Sequence, residues 1–402
     1  MQKIQGGVTA PKGFKAGAAH CGLKKDGYDV GILLSERPAQ AAAMFTTNQI
    51  VAAPVVYSRE AVQKGPISAV VVNSGNANAC TGKQGMQDTK TMVAVTASSL
   101  SVSPDHVLVA STGIIGERLP MDRVVQGIRG AAGDMGPETQ NGHAFAQSIM
   151  TTDTRTKEFA ITTKAGGQAI TIGGTAKGAG MIAPNMATML CFLTTDSFVP
   201  YKVLGRCLKE AVTHSLNRIS VDGHMSTNDM VVILSNGAAG DPVIDDSTML
   251  LPVFQEALNL VTRNLATAVI KDAEGATKLV RLEVSGAPTD AYALQVARTI
   301  GNSPLVKTAI NGEDPNWGRI ISAAGATGIP LDEQRLSLYI GDVLVFDGGV
   351  YVTTLDKEKL SEEMKKKEVY IHLHLGLGKS KTEFWTCDLS HEYITINAKY
   401  HT

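Results

Sequence analysis

Apolar runs of strand length alternate with longer amphipathic segments along most of this chain. The strand-like runs lie at 67–72, 106–110, 158–163, 168–172, 188–194 and 230–234. The segments with a helical period lie at 85–100, 121–128, 201–214 and 248–270. Because the predicted strands and helices do not alternate strictly as βαβ units, the pattern predicts a layered α/β (α+β) fold, with mixed sheets covered by helices.

The last third of the chain continues this mixed pattern. Strands are predicted at 279–284, 306–310, 336–340, 369–375 and 384–389, and helices at 289–300 and 357–367. The stretch Ser285-Gly286-Ala287-Pro288 interrupts two elements. It predicts a boundary between a main catalytic domain, 1–285, and a smaller C-terminal α/β domain, 286–402.

Composition narrows the class of protein further. The 402 residues are 44% hydrophobic and carry a formal net charge of −1, which argues against a nucleic acid or an anionic membrane as partner. The five cysteines are scattered without a CxxC pair, as is typical of a reducing compartment. Since no stretch resembles a secretory signal or a membrane span, we expect a cytoplasmic protein.

The junction Ala187–Thr188 carries the most specific chemistry. A Gly-rich stretch precedes it and an apolar run follows it. The Thr188 hydroxyl could attack the open carbonyl of Ala187, and hydrolysis of the ester would leave Thr188 as a new chain start. Its α-amine, with an ordinary pKa near ~8, could then activate its own hydroxyl for acyl transfer. A Gly-rich turn that simply leads into a buried strand is the alternative.

Five further residues could complete an acyl-transfer site. Thr112-Gly113 after a strand could donate hydrogen bonds to an oxyanion, or form an ordinary turn. Lys177 could pair with a substrate carboxylate, or be a solvated loop residue. Thr151, in a cluster of hydroxyl residues, could bind a polar ligand or cap a helix. Glu274, near acids at a helix end, could bind an ammonium group or lie in a solvated turn.

Several long motifs together resemble one family, the glutamate N-acetyltransferases, also called ornithine acetyltransferases, of arginine biosynthesis. One of them reads Ser111-Thr112-Gly113-Ile114-Ile115-Gly116. The others lie at 6–14, 45–48, 73–82, 150–153, 177–184, 272–275 and 397–402. Together these motifs span nearly the whole chain, and they occur in the same order as in the family.

The resemblance implies a self-cleaved precursor and an αββα sandwich fold. The cut would fall between Ala187 and Thr188 and give fragments 1–187 and 188–402, held together as an α2β2 assembly. Thr112 and Gly113 match the oxyanion hole of the family. The substrate-binding positions of the family match Thr151, Lys177, Thr188, Glu274, Asn397 and Thr402.

The implied reaction moves acetyl from N2-acetyl-L-ornithine to L-glutamate through an acetyl-Thr188 ester. It requires no cofactor or metal, because the donor already carries the acyl group; acetyl-CoA as a second donor stays open. Two alternatives remain. One is a self-processed aminopeptidase or amidohydrolase with water as acceptor, and the other is an uncleaved, non-catalytic binding protein.

Overall fold

The computed structural model describes residues 1–183, 189–240 and 242–399. The strands are β1 Gln2–Ile4, β2 Phe14–Ala19, β3 Val30–Phe45, β4 Ile67–Asn76, β5 Val107–Ile114, β6 Lys157–Ala165, β7 Gln168–Lys177, β8 Leu190–Thr195, β9 Ile219–Ser220, β10 Met230–Ser235, β11 Leu279–Ala287, β12 Ser337–Ile340, β13 Val343–Asp347, β14 Val350–Tyr351, β15 Glu368–His374 and β16 Ser380–Cys387. The helices are α1 Ala53–Ala61, α2 Gly82–Leu100, α3 Met121–Gly133, α4 Thr139–Ser148, α5 Tyr201–Thr213, α6 Leu250–Lys271, α7 Asp290–Gly301, α8 Pro304–Asn311, α9 Trp317–Gly325, α10 Lys357–Lys365 and α11 His391–Lys399. None of the helices in these ranges is long and apolar enough to cross a bilayer.

The long strand β3 connects the two halves of the first sheet. The strand order is β1-β6-β7-β8-β10-β3-β4-β5, and β2 pairs with β3 off this path. The first half of β3 pairs with β2 and β4, and its second half pairs with β10. The register shifts between Leu34 and Ala39, where Pro38 cannot donate a ladder hydrogen bond. The sheet can therefore turn back on itself at this point.

Three apolar clusters define the layers. One packs α5 and α6 against β6, β7, β8 and β10. A second lies between the two halves of the sheet and joins Val70 of β4 with Phe192 of β8 and Val232 of β10. A third packs α2 and α3 against the outer face of β4 and β5. The order helix, sheet, sheet, helix is the predicted αββα sandwich, so the expected fold class is confirmed.

The C-terminal part of the described chain forms most of a second sheet, in the order β14-β13-β12-β15-β11-β16-β9, to which the short β9 from the preceding part adds an edge strand. Its own apolar cluster packs against α7, α8, α9 and α10. The predicted boundary between residues 285 and 286 falls inside β11, which pairs with β15 and β16 along its length. The domain division stays a prediction, and the strand pairing favours placing it before Leu279.

One secondary-structure prediction was wrong. Residues 306–310 are apolar and β-branched in part, which favoured a strand, but they lie in helix α8. Ser303 caps this helix by accepting a hydrogen bond from the N–H of Val306, and Pro304 occupies the first turn. The predicted cap Thr289 of α7 is confirmed, since its side chain accepts from the N–H of Tyr292.

Candidate active site

One cleft brings together most of the residues that the sequence singled out. Its lining includes Thr112, Gly113, Thr151, Lys177, Glu274 and Asn397. These residues come from β5, β7, α11 and loops that are far apart in the chain. Ala187, Thr188 and Thr402, the remaining predicted site residues, lie outside the described residues.

The Thr112-Gly113 pair lies near the end of β5, beside β4. Gly113 has a φ of +135°, and a Cβ there would lie 2.3 Å from the carbonyl carbon of Gly75. The register shifts at this point, because Asn76 is opposite both Thr112 and Ile114. Such an irregularity releases backbone groups from the ladder. Glycine is therefore required at position 113, and its backbone can approach a ligand closely.

Lys177 lies at the end of β7 and is 2% exposed. Its Nζ donates to Thr151 Oγ1 at 2.7 Å and to Thr112 Oγ1 at 3.2 Å. Burial lowers the pKa of this lysine, while the negative charge of Asp153 opposes the shift. The solvated-loop alternative for Lys177 is thus excluded, and the ammonium joins the two hydroxyl residues of the cleft.

A buried ion network, formed by Asp153, Lys157 and Asp272, supports this lysine. Lys157 Nζ contacts Asp153 and lies 2.6 Å from Asp272 Oδ2. Asp153 accepts from the backbone N–H of Thr151 at 3.0 Å and of Gly178 at 2.8 Å. Burial alone would raise the pKa of Asp153, but the charges of Lys177 and Lys157 hold it at about 2. The network fixes the backbone on both sides of the Lys177 ammonium.

Sequence reasoning missed the structural role of this network. Asp153 lay in the Thr151 cluster, and Asp272 lay among the acids at the end of α6, but nothing connected either to Lys157. The only signal was the position of Asp272 at a helix C-terminus, where the helix dipole disfavours an acid.

Glu274 and Asn397 form the outer wall of the cleft. The N–H of Glu274 donates to the carbonyl of Ala179 at 2.9 Å, and its side chain packs on Gly180. Asn397 Nδ2, from α11, donates to Glu274 Oε2 at 2.8 Å. Glu274 is half-buried and Asn397 is exposed. The carboxylate therefore faces the cleft and is not confined to a solvated turn.

Two carboxylates hold the chain on either side of the predicted cut. Asp222 accepts from the N–H groups of Met181 and Ile182, at 2.6 and 3.0 Å. Asp229 accepts from the N–H of Met189 at 2.8 Å through Oδ1. Neither was found from the sequence, because both bonds join residues about forty positions apart. In the described part of the chain, no cluster of three or more His, Cys, Asp or Glu residues could hold a metal ion.

The arrangement can supply hydroxyl, ammonium and backbone donors in one partly enclosed cleft, with a carboxylate at its outer wall. Donors of this kind stabilise the negative oxygen that forms during acyl transfer. A layered α/β fold with this cleft is compatible with acyl transfer.

Comparison with known proteins gives the family. The sequence profile of the ArgJ family matches residues 15–402. The chain is 48% identical over 400 residues to the arginine biosynthesis bifunctional protein ArgJ of Dehalococcoides mccartyi (strain CBDB1), covering 99% of this chain and 98% of the relative. It is 45% identical over 405 residues to the protein of the same name from Symbiobacterium thermophilum, and both are covered completely. The chain belongs to the ArgJ family.

Two solved structures are also similar to this chain. One is ArgJ from Bacillus halodurans, with 44% identity, a TM-score of 0.45 and coverage of 46% of this chain and 97% of that chain. The other is an ornithine acetyltransferase from Mycobacterium tuberculosis, solved in complex with ornithine, with 39% identity and a TM-score of 0.43. That match covers 46% of this chain and 97% of that chain.

Proposed function

We propose that this protein transfers an acetyl group from N2-acetyl-L-ornithine to L-glutamate in arginine biosynthesis. The observation that carries the proposal is the buried Lys177 ammonium, bonded to the hydroxyls of Thr112 and Thr151 beside Gly113. The relatives that match the whole chain are named as bifunctional proteins of arginine biosynthesis, which supports the choice of pathway.

Thr188 is the proposed nucleophile, after a cut between Ala187 and Thr188. Its α-amine takes the hydroxyl proton, and its oxygen attacks the acetyl carbonyl of the donor. Ornithine leaves after protonation, and an acetyl ester on Thr188 remains. Glutamate then attacks this ester and departs as N-acetylglutamate. One nucleophile serving two half-reactions predicts ping-pong kinetics.

Thr112 and Gly113 are the proposed oxyanion donors. A lysine ammonium can only donate hydrogen bonds, so Thr112 Oγ1 accepts from Lys177 and its own proton is free for another acceptor. The backbone N–H of Gly113 provides a second donor beside it. Both groups can thus stabilise the negative oxygen of the tetrahedral intermediate.

The α-amino acid head groups of both substrates can share one set of contacts. Lys177 has three N–H donors, of which two reach Thr112 and Thr151, so the third can bind a carboxylate. Glu274 is the proposed partner for a cationic group. Asn397 orients Glu274, and Thr402 is proposed to complete the substrate contacts.

Three finer statements belong to the same proposal. The fragments stay together as an α2β2 assembly, and the enzyme works in the cytoplasm. Acetyl-CoA is proposed as an additional acetyl donor, because the matching relatives are called bifunctional.

Denaturing mass analysis followed by an acetyl-exchange assay tests this function. We expect two fragments, 1–187 and 188–402, and formation of N-acetylglutamate only when glutamate is added to labelled acetylornithine. A Thr188→Val variant should stay uncut and inactive. Acetate release that does not depend on glutamate would instead indicate an amidohydrolase. An intact, inactive chain would indicate a binding protein.

A further inference from the structure

The loop just before β10 adds two polar side chains, Thr227 and Asn228, to the lining of the cleft. Neither was predicted as a site residue, and they are 7% and 5% exposed. Asn228 Nδ2 donates to the carbonyl of Ala77 at 2.6 Å and to the carbonyl of Ser111 at 2.9 Å. Ser111 directly precedes the proposed oxyanion donor Thr112. This amide therefore ties the loop to the strand that carries the oxyanion hole.

The hydrogen-bond partners of Asn228 fix the orientation of its amide. Backbone carbonyls only accept, so both N–H groups of the amide are used by Ala77 and Ser111. The amide oxygen Oδ1 carries no proton, so the Thr227 hydroxyl must donate to it, over 2.6 Å. The proton of that hydroxyl is thereby used, and its oxygen retains only lone pairs. In the cleft, Thr227 is therefore a hydrogen-bond acceptor.

The inner side chains already assigned to the site are donors. The Lys177 ammonium donates to the hydroxyls of Thr112 and Thr151, so each of these turns its own proton elsewhere. Such a cationic, donor-rich set suits an oxyanion or a carboxylate and disfavours a further N–H donor. The Glu274 carboxylate lies at the outer wall. Thr227 adds an acceptor to the inner set.

Both proposed half-reactions place an N–H group beside the oxyanion. In the first, the leaving nitrogen of acetylornithine carries a hydrogen, and in the second, so does the attacking α-amine of glutamate. In the tetrahedral intermediate this nitrogen and the negative oxygen share one carbon, so they lie only about 2.4 Å apart by ordinary bond lengths. An N–H group enclosed there without an acceptor would weaken binding. A suitable acceptor has to be anchored next to the oxyanion donors, as Thr227 is through Asn228 and Ser111.

We propose that Thr227 Oγ1 binds the reacting nitrogen of both substrates by accepting a hydrogen bond from its N–H, an inference that rests on the proposed acetyl transfer. Thr227 takes no proton. It holds the N–H away from the acyl carbon, so the nitrogen lone pair is directed at that carbon when glutamate attacks and when ornithine leaves. The site thus favours acyl donors and acceptors that react through an N–H-bearing nitrogen. A donor with oxygen at this position gains nothing from Thr227.

The main test compares two acetyl donors in the wild type and in Thr227→Val. One donor is N2-acetyl-L-ornithine, and the other is 2-acetoxy-5-aminopentanoate, in which an ester oxygen replaces the N–H. The first half-reaction is followed without glutamate, as single-turnover release of the deacetylated product. Valine keeps the shape of threonine but accepts no hydrogen bond, so release from the amide should slow about 10- to 100-fold and release from the ester less than about twofold. Equal slowing of both donors, or no slowing of the amide, would overturn the proposal.

Thr227→Ser is the matched control, because it keeps the hydroxyl. Its release of ornithine should stay near that of the wild type, and a loss as large as in Thr227→Val would assign the effect to packing of the methyl group. Thermal unfolding and the ester reaction report whether Thr227→Val is folded. If it is not, Thr227→Ala deletes the same acceptor and must show the same difference between the two donors; the absence of that difference would count against Thr227.

Calorimetric binding provides a readout without turnover. L-Ornithine carries the α-ammonium group that 5-aminopentanoate lacks. Thr227→Val should weaken the binding of ornithine about tenfold and leave that of 5-aminopentanoate unchanged, and equal changes would contradict the proposal. If the wild type transfers no acetyl from acetylornithine to glutamate, the proposed function fails and this inference fails with it. If the wild type does so and Thr227→Val treats the two donors alike, only the role of Thr227 fails.

Discussion

The inner and outer halves of the cleft are built differently. In the inner half, Lys177 is 2% exposed and bonds to two hydroxyls, and Asp153 fixes the backbone on both sides of it. In the outer half, Glu274 is half-buried, and its described side-chain partner, Asn397, is exposed on the last helix. The inner half is held by several contacts for each residue, and the outer half by few.

This difference separates two tasks. Electrostatic interactions are strong where water is excluded, so the inner donors can stabilise charge that develops during the reaction without reorganising. The outer carboxylate is partly screened by solvent, so its contribution to binding is smaller. We therefore expect inner-half changes to affect rate and stability, and outer-half changes to affect mainly the apparent affinity for substrate.

The largest expected effect is the loss of the cation at the centre of the ion network. Lys157→Met would leave Asp153 and Asp272 buried without their shared ammonium. Breaking a buried pair in this way costs about 3–5 kcal/mol, which urea unfolding would measure. Lys177→Met is the matched comparison; it keeps that pair and should instead lower kcat/KM by about 10- to 100-fold, through lost charged hydrogen bonds. Equal effects on stability would show that the two lysines have the same role.

Gly113→Ala should lower kcat by about 10²–10³-fold, as loss of an oxyanion donor does. The new Cβ would lie 2.3 Å from the carbonyl carbon of Gly75, so the Thr112-Gly113 segment must shift. Gly116→Ala is the control, because Gly116 also has a positive φ, but a Cβ added there would have no described atom within 4 Å. Its activity should stay near that of the wild type. Full activity of Gly113→Ala would remove this residue from the proposed mechanism.

The Asp153 carboxylate should make the free energy of unfolding depend on pH in the acid range. Its pKa of about 2 in the folded protein lies below the usual ~3.9 of an unfolded chain, so the ionised form stabilises the fold above pH ~4. This contribution, about 2 kcal/mol, should be lost as the pH falls from ~4 to ~2. Urea unfolding at several pH values would show it, and Asp153→Asn should abolish the dependence. An unchanged pH profile in that variant would assign the effect to other carboxylates.

The smallest effects are expected in the outer half. Glu274→Gln should raise the KM for acetylornithine about tenfold with little change in kcat, because it removes a partly solvated charge from substrate binding. Asn397→Ala should raise it less, by a few-fold, since it removes one exposed hydrogen bond to Glu274. Steady-state kinetics of the exchange reaction would measure both. A loss of kcat in Glu274→Gln as large as the loss of kcat/KM expected for Lys177→Met would erase the distinction between the halves.

Local sequence patterns were sufficient to predict most of the helices and strands. The buried run at β4, the amphipathic helix α6 and the Thr289 cap depend on neighbouring residues, so the order of side chains along the chain reveals them. The apolar segment 306–310 was misjudged because its capping residue, Ser303, outweighs the strand preference of Val306 and Ile310. Motif order also pointed to Thr112, Gly113, Lys177 and Glu274, which the structure brings into one cleft.

The sequence by itself thus determined the kind of most elements, the layered class of the fold and the candidates for acyl transfer. Only the tertiary structure decided which buried groups hold the candidate residues in place. The hydrogen bond that Lys157 donates to Asp272 spans 115 positions, and the one that Asp229 accepts from the N–H of Met189 spans 40. Burial and charge pairing are properties of three-dimensional neighbours, so no local pattern reports the pKa of Asp153 or the partners of the Asp229 carboxyl.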